Sequence, residues 1–374
     1  MKLFDSASFR DLVSGRRRGA GASLLRGALR LGETCYATAV QLRNWGYDLG
    51  AVAVRRADAP VVSVGNLTLG GTGKTPMVRW LARWFLQRGV RVSVVSRGYG
   101  SAAGEANDEA LEMRLLLPDV PHLQNPDRVS AAREAVEKHG SQLVVLDDGF
   151  QHRRIARDLE IVLLDALTPF GYGHVFPRGM LREPVSGLRR ADAVVLSRAD
   201  LIEPSGREAI WRIVRRHAPD AVCAEAAHAP RALISAGAGK GVRNLLCEAP
   251  EGPFRQKVPD TFSGTESIGG KPVAAFCGLG NPAGFRHTLE QCGCRVVGFR
   301  EFPDHHRYTP EDEDSLSRWA EELDVSAVLC TCKDLMKISR DRLGTKPLWA
   351  VRIELELLVG QEALESRLRR LCNV

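Results

Sequence analysis

The chain has 374 residues, 44% of them apolar and 26% charged, with a formal net charge of +7. That length accommodates two domains with a core each, and the balance excludes a disordered or fibrous chain. The basic excess favours an anionic partner, while the absence of any apolar run near the ~20 residues that span a bilayer excludes an integral membrane protein.

Residues 1–50 read as helical and amphipathic. Leu24, Leu25, Ala28 and Leu31 can share one face, with Arg26 and Arg30 four apart on another, and residues 36–45 add aromatic side chains. Such a segment suits either an anionic lipid surface or packing on a domain with its basic side outward. No secretory signal follows the basic run 16–18, because Arg26 and Arg30 interrupt the apolar stretch. From residue 60 the pattern alternates: strand 61–64, helix 74–87 with Met77, Val78, Leu81 and Phe85 on one stripe, strand 91–96, helix 128–139, and strands 143–146, 161–164 and 193–196. This βαβ rhythm predicts a largely parallel sheet with helices on both faces.

Residues 236–270 are rich in Gly, Ser and Lys and read as exposed or mobile. Alternation then resumes with strand 273–277, helix 282–291, strand 295–299, helix 311–323, strand 326–331, helix 333–340, strand 348–354 and helix 361–371. The expected organisation is helices over 1–50, a P-loop NTPase-like parallel-sheet domain over 51–232, a smaller α/β domain over 233–355, and a C-terminal helix over 356–374. The nine cysteines form no C-x-x-C pair. Reduced thiols in a cytosolic compartment are the favoured reading over a four-thiolate metal site built from the Cys292/Cys294 and Cys330/Cys332 pairs.

The stretch SVGNLTLGGTGKTP, residues 63–76, lies between a predicted strand and a predicted helix. A glycine-rich turn there directs consecutive backbone N–H groups inward, and the helix N-terminus adds partial positive charge. Thr68, Leu69, Gly70, Gly71, Thr72, Gly73, Lys74 and Thr75 form the candidate nucleotide-binding set. Lys74 is placed to reach the β- and γ-phosphates of ATP, and the Thr75 hydroxyl to ligate Mg²⁺. Pro76 is tolerated in the first helical turn. The strict P-loop pattern wants a glycine where Thr68 stands. The apolar run 143–146 ends in Asp147 and Asp148, a carboxylate pair suited to Mg²⁺ one βα spacing further on. These parts define a P-loop NTPase, a class that includes kinases, GTPase switches and motors.

Further segments narrow the reading: SRGYG at 96–100, DDGFQH at 147–152, PRGMLREP at 177–184, AFCGLGNP at 275–282, FPDHHRYT at 302–309 and TCKDLMK at 331–337. With the variant loop GNLTLGGTGKTP, in this order from about residue 20 to 355, the chain resembles the tetraacyldisaccharide 4'-kinase family, the lipid A kinases. The family's loop also lacks the first glycine. The resemblance implies transfer of the γ-phosphate of ATP to the 4'-hydroxyl of a tetraacylated glucosamine disaccharide 1-phosphate, forming lipid IV-A in lipopolysaccharide synthesis. It also implies a peripheral position at the cytoplasmic face of the inner membrane, contacted through the N-terminal helices, and two domains joined by a hinge with the active site between them. A monomer is expected.

By resemblance, Asp108 and His305 are the catalytic pair at the acceptor, the carboxylate fixing the imidazole and raising its basicity; they would lie on different domains, so the pair would form only when the cleft closes. Glu109 belongs to the same acidic pair as Asp108. Arg128 and Arg182 would neutralise phosphoryl charge, as the planar guanidinium suits phosphate oxygens. The bland alternative for them is a surface ion pair with Asp127 or Glu183. Gln151 and His152 would fix water or substrate, and Tyr99 and Glu183 would line the acceptor site. The chain departs from the family's usual pattern at Asn107, at Cys332 and in the length of 236–270. Those departures bear on substrate detail, such as acyl length.

Four other readings fit the sequence less well. A soluble P-loop kinase or GTPase would not need the N-terminal helices, and Ser197-Arg-Ala-Asp200 only partly resembles the base-reading N-K-x-D element. A nucleotide-gated membrane protein would bind ATP without transfer. Dinucleotide binding at 278–284 misses its fingerprint by one residue. Nucleic acid is not expected, because the basic residues are not interleaved with aromatics.

Overall fold

A computed structural model describes residues 6–98, 108–236, 242–244, 270–280, 282–304 and 306–372. The chain divides into two compact units: Met1–Tyr99, Asp119–Ala227 and Glu356–Val374 form unit 1, and Gly100–Pro118 with His228–Leu355 forms unit 2. The segment 100–118 therefore parts from the continuous 51–232 expected from sequence.

Unit 1 opens with helices α1 (Ser6–Val13) and α2 (Ala20–Asp48). Its parallel sheet comprises β1 (Val61–Asn66), β2 (Val92–Ser96), β3 (His122–Gln124), β4 (Leu143–Asp147), β5 (Leu159–Asp165), β6 (Ala193–Ser197) and the start of β7 (Val222–Ala236), in the order β7-β6-β5-β1-β4-β2-β3. Strands β1, β2, β4, β5 and β6 are buried along their whole length. That explains their near-continuous apolar sequences, since a central parallel strand has helices over both faces. Helix α3 (Lys74–Leu86) follows β1 and buries Met77, Val78, Leu81 and Phe85 completely, the stripe that the sequence periodicity marks.

Helix α5 (Arg128–His139) is capped by Asp127, whose carboxylate accepts from the amides of Val129 at 3.1 Å and Ser130 at 3.4 Å. Helix α6 (Pro204–His217) packs Ile210, Trp211 and Val214 into the core. Because β4 inserts between β1 and β2 while β5 lies on the other side of β1, the chain reverses direction across the sheet at β1. Open α/β sheets bind ligands outside the carboxyl ends of the strands at such a point.

Helix α2 is one continuous 29-residue helix. Ala22, Val40 and Asn44 face the unit. Glu33 accepts from the Val175 amide at 2.7 Å and pairs with His174 at 3.0 Å. On other faces Leu24, Leu31, Leu42 and Trp45 are each at least 60% exposed. No described helix is long and apolar enough to cross a membrane.

Unit 2 contains α4 (Asp108–Leu116), the end of β7 with β8 (Val242–Asn244) antiparallel to it, β9 (Pro272–Cys277), α7 (Pro282–Gln291), β10 (Arg295–Glu301), α8 (Pro310–Glu322), β11 (Ala327–Thr331), the single turn α9 (Cys332–Leu335), β12 (Arg342–Leu343) and β13 (Lys346–Val359) up to Leu355, its last residues belonging to unit 1. Strands β10, β9, β11 and β13 pair in parallel in that order. Cys277 and Cys330 are fully buried and fill the core as apolar residues. The helix expected over 333–340 is only α9. Thr331 caps it by accepting from the Asp334 amide, and a turn follows Leu335. Helix α4 packs on α9. The last helix, α10 (Gln361–Cys372), belongs to unit 1. The Gly/Ser/Lys-rich 236–270 lies outside the described residues, apart from 236, 242–244 and 270.

Candidate functional site

The residues flagged in unit 1 converge on the carboxyl ends of β4, β1 and β5, three neighbouring strands, with Arg128 at the start of α5. The loop after β1 explains the missing glycine. Thr68 bridges antiparallel to Leu181: the Leu69 amide donates to Met180 O and the Arg182 amide to Leu67 O, both at 2.7 Å. Thr68 is thus held in a short ribbon with the PRGMLREP segment and is 5% exposed. The left-handed turns fall instead at Gly70 (φ 109°) and Gly73 (φ 87°), where glycine has no Cβ to clash. Helix α3 begins at Lys74, immediately after Gly73.

At the end of β4 the chain turns sharply. Asp148 has φ 55°, and the next residue passes so close to β1 that a Cβ on Gly149 would collide with Ser63 Oγ. This turn aims the Asp148 carboxylate at two cations. Lys74 Nζ lies 3.6 Å from its Oδ1, and Arg182 Nη1 lies 2.9 and 2.8 Å from its two oxygens. Burial pushes the Asp148 carboxyl upward, but the Lys74 ammonium and the Arg182 guanidinium outweigh it and bring the group down to about 2. It is therefore ionised at any working pH. Its side chain stays 37% exposed, within reach of a ligand.

Asp147 is 4% exposed and lies in register with Val64 of β1. Its carbonyl accepts from Arg128 Nη2 at 3.3 Å. Arg128 is 4% exposed, so it is no surface partner of Asp127, which is occupied in capping. Burial lowers the Arg128 guanidinium from its ordinary value, and its Nε has no protein partner. His152 is pushed down to about 4 by burial and then by the Arg128 and Arg157 charges, so its imidazole is neutral at physiological pH.

Gln151 and Glu183 link the site to α2. The Gln151 amide donates to Asn66 O at 2.9 Å and to Glu183 Oε1 at 3.1 Å. Glu183 is fully buried and also accepts from Asn44 of α2 at 3.1 Å and Arg190 at 2.9 Å. The ion pair between Arg182 and Glu183 weighed from sequence is replaced by Arg182–Asp148 and Arg190–Glu183. Sequence reasoning considered Ser197 and Arg198 only as part of a discounted base-reading element; their side chains bond the carbonyls of Thr72 and Gly71. The signal was a polar pair ending an apolar strand two positions from the loop strand.

Thr75, Asp147 and Asp148 are the unit-1 donors suited to a divalent ion. Among the described residues no cluster of three or more His, Cys, Asp or Glu side chains could cage a metal. One or two carboxylates and a hydroxyl, completed by substrate phosphates and water, is the donor set Mg²⁺ takes in kinases, and the ionised Asp148 fits it.

In unit 2, Asp108 and Glu109 open α4, and only their backbone is described. Tyr99 and His305 lie outside the described residues. Sequence reasoning put Asp108 and His305 on different domains. The segment 100–118 clusters with 228–355, so both positions belong to unit 2. Asp304, which precedes His305 in the chain, is engaged by Lys333 Nζ at 3.3 Å. Just behind, Asp334 is fully buried and accepts from the Gly278 amide at 3.1 Å, Tyr308 Oη at 3.0 Å and Thr331 Oγ1 at 2.6 Å.

Comparison with known proteins matches residues 25–373 to the family model described as tetraacyldisaccharide-1-P 4'-kinase (LpxK). The chain is 41% identical over 377 residues to a tetraacyldisaccharide 4'-kinase of Anaeromyxobacter dehalogenans, covering 94% of this chain and 93% of that protein. It is 34% identical to one from Geobacter sulfurreducens, covering 94% and 95%. Among solved structures it is similar to LpxK from Aquifex aeolicus in complex with ATP, with a TM-score of 0.67 and 29% identity, covering 93% of this chain and 99% of that one.

Proposed function

Because the chain belongs to the tetraacyldisaccharide-1-P 4'-kinase family, we propose that it transfers the γ-phosphate of ATP to the 4'-hydroxyl of a tetraacylated glucosamine disaccharide 1-phosphate, in lipid A biosynthesis. The observation that carries the reading is the cationic carboxyl edge of unit 1. There a glycine-shaped loop, Lys74, Arg182 and the ionised Asp148 meet within hydrogen-bond or ion-pair distance.

Phosphoryl transfer needs alignment and charge neutralisation more than covalent help from the protein. Backbone amides of residues 70–75 and the N-terminus of α3 would cradle the phosphates. Lys74 would follow the charge that moves onto the departing β-phosphate, and Arg182 and Arg128 would serve the remaining oxygens. Thr75, Asp147 and Asp148 would hold Mg²⁺, whose charge would offset that of the phosphates. By resemblance, Asp108 and His305 would orient the sugar hydroxyl and take its proton, with Tyr99 and Glu109 nearby. Glu183 would act from within, fixing Gln151 beside Arg182.

A lipid acceptor brings the enzyme to a membrane surface. The exposed Leu24, Leu31, Leu42 and Trp45 of α2, with the basic charge, support peripheral contact at the cytoplasmic face of the inner membrane. Changing Leu24, Leu31 and Trp45 together to Ser should release the protein from anionic vesicles while leaving ATP affinity unchanged. The deciding experiment incubates the protein with γ-labelled ATP and the disaccharide 1-phosphate lipid. Label in a bisphosphorylated lipid is expected; label released only as inorganic phosphate would refute the reading.

A further inference from the structure

We propose that Ser197 and Arg198, at the end of β6, are positioning residues for the nucleotide: they hold two peptide planes of the phosphate loop so that the Thr72 and Gly73 amides face the phosphates. This rests on reading the 70–75 loop as the triphosphate cradle.

The contacts are specific. Ser197 Oγ is buried and donates to Thr72 O at 2.7 Å. Arg198 donates to Gly71 O through Nη1 at 3.2 Å and Nη2 at 3.3 Å. The same guanidinium meets Asp165 Oδ2, at the end of β5, at 2.6 Å. Asp165 is itself anchored, because its other oxygen accepts from the Leu167 amide at 3.1 Å and the residue is 7% exposed. Arg198 therefore spans from a fixed carboxylate to a loop carbonyl. It does so from a left-handed backbone conformation, φ 54°, that is uncommon for arginine and turns the side chain back toward the loop.

Peptide geometry converts these contacts into an effect on the ligand. In a planar trans peptide the carbonyl of one residue points opposite to the N–H of the next. Holding Gly71 O toward Arg198 sets the Thr72 N–H on the opposite side. Holding Thr72 O toward Ser197 does the same for the Gly73 N–H. Loop carbonyls that would repel an anion are turned to the rear, and donors are fixed in place before the nucleotide arrives. Donors ordered in advance lose less freedom on binding, so their hydrogen bonds contribute more to affinity. Glycines on either side of Thr72 leave the loop few other restraints, which is why a brace from outside the loop matters. The planar arginine fork adds a second bond to the Gly71 carbonyl through Nη2, an orientation a flexible lysine ammonium fixes less well.

The test measures binding of a fluorescent ATP analogue, KM for ATP and for the lipid, and kcat, using full-length wild type, Arg198→Ala, Arg198→Lys, Ser197→Ala and Lys74→Ala. Thermal unfolding without nucleotide serves as the folding control. Arg198→Ala should weaken analogue binding and raise the ATP KM about 10-fold, with kcat within about 3-fold and the lipid KM unchanged. Arg198→Lys should fall between it and wild type. Unchanged ATP affinity in Arg198→Ala, or a lower kcat at unchanged affinity, would overturn the brace. If Arg198→Ala does not fold, Arg198→Lys and Ser197→Ala decide by the same criterion. Lys74→Ala separates the two levels: if it binds the analogue as wild type does, the loop is not the cradle. Loss in Lys74→Ala with full binding in Arg198→Ala sinks the brace alone.

Discussion

Asp148 follows β4 in unit 1, and Asp334 stands just beyond β11 in unit 2. Both carboxylates sit past the carboxyl end of a parallel strand, yet their surroundings differ. Asp334 is fully buried, and its donors are an amide and two hydroxyls of its own unit, so nothing is left for a ligand. Burial and the adjacent Asp334 carboxylate push the Tyr308 phenol far above its ordinary value, so it remains a donor. Asp148 is 37% exposed and faces two cations that a polyanion would also attract. Position at a strand end does not separate a carboxylate open to a ligand from an internally satisfied one. What separates them is whether the partners are neutral and internal or charged and reachable.

The sharpest way to break this contrast is Lys74→Ala. If Lys74 serves the transferred group as proposed, removing its charge should lower kcat/KM for phosphoryl transfer by about 10³-fold or more, with unfolding temperature nearly unchanged. Activity within 10-fold of wild type would place the chemistry elsewhere. The acceptor side is probed by His305→Ala, expected to lower kcat by about 10²-fold or more at unchanged ATP affinity. Equal loss of turnover and nucleotide binding would remove it from a catalytic role. Asp334→Ala should do the reverse of Lys74→Ala. It strands three buried donors and should cost about 3 kcal/mol or more of stability, read by denaturant unfolding, while ATP affinity in the folded fraction stays at wild type.

The smallest effect concerns Glu160 of β5, 4% exposed and beside Arg157 at 3.4 Å. Burial raises its carboxyl to about 7, against the partial opposition of Arg157. The folded state then keeps a proton that the unfolded chain gives up near the ordinary glutamate value. The stability this contributes is full below about 4.5 and lost as pH rises through about 7. Wild type should lose more thermal stability between pH 5 and 8 than Glu160→Gln. Parallel profiles would show that Glu160 does not titrate in this range.

Much of unit 1 is legible in the sequence because its signals are local. Continuous apolar runs mark central strands, a 3.6-residue stripe marks α3, and a glycine-rich turn before Lys74 marks the loop. Thr68 was legible as an anomaly but not as a solution, since its partner Leu181 lies more than a hundred residues away and no periodicity reports a two-residue ribbon. Arg182 could be flagged as cationic, but not that it grips Asp148, because ion pairing depends on the left-handed turn there. Helix α9 stops after one turn, where a helix over 333–340 was expected. The Thr331 cap that sets its start is local, three residues from the Asp334 amide, whereas the bonds from Gly278 and Tyr308 that hold Asp334 are tertiary. The grouping of 100–118 with unit 2 was hidden for the same reason: chain order says nothing about which sheet a segment packs on.

The most direct test of the central claim is a crystal structure of the protein with a non-hydrolysable ATP analogue and Mg²⁺. The triphosphate should lie against the amides of residues 70–75, with Lys74 on its β- and γ-oxygens and Asp148 no more than one water from the metal. A triphosphate bound anywhere else, with Lys74 still paired only to Asp148, would contradict the account.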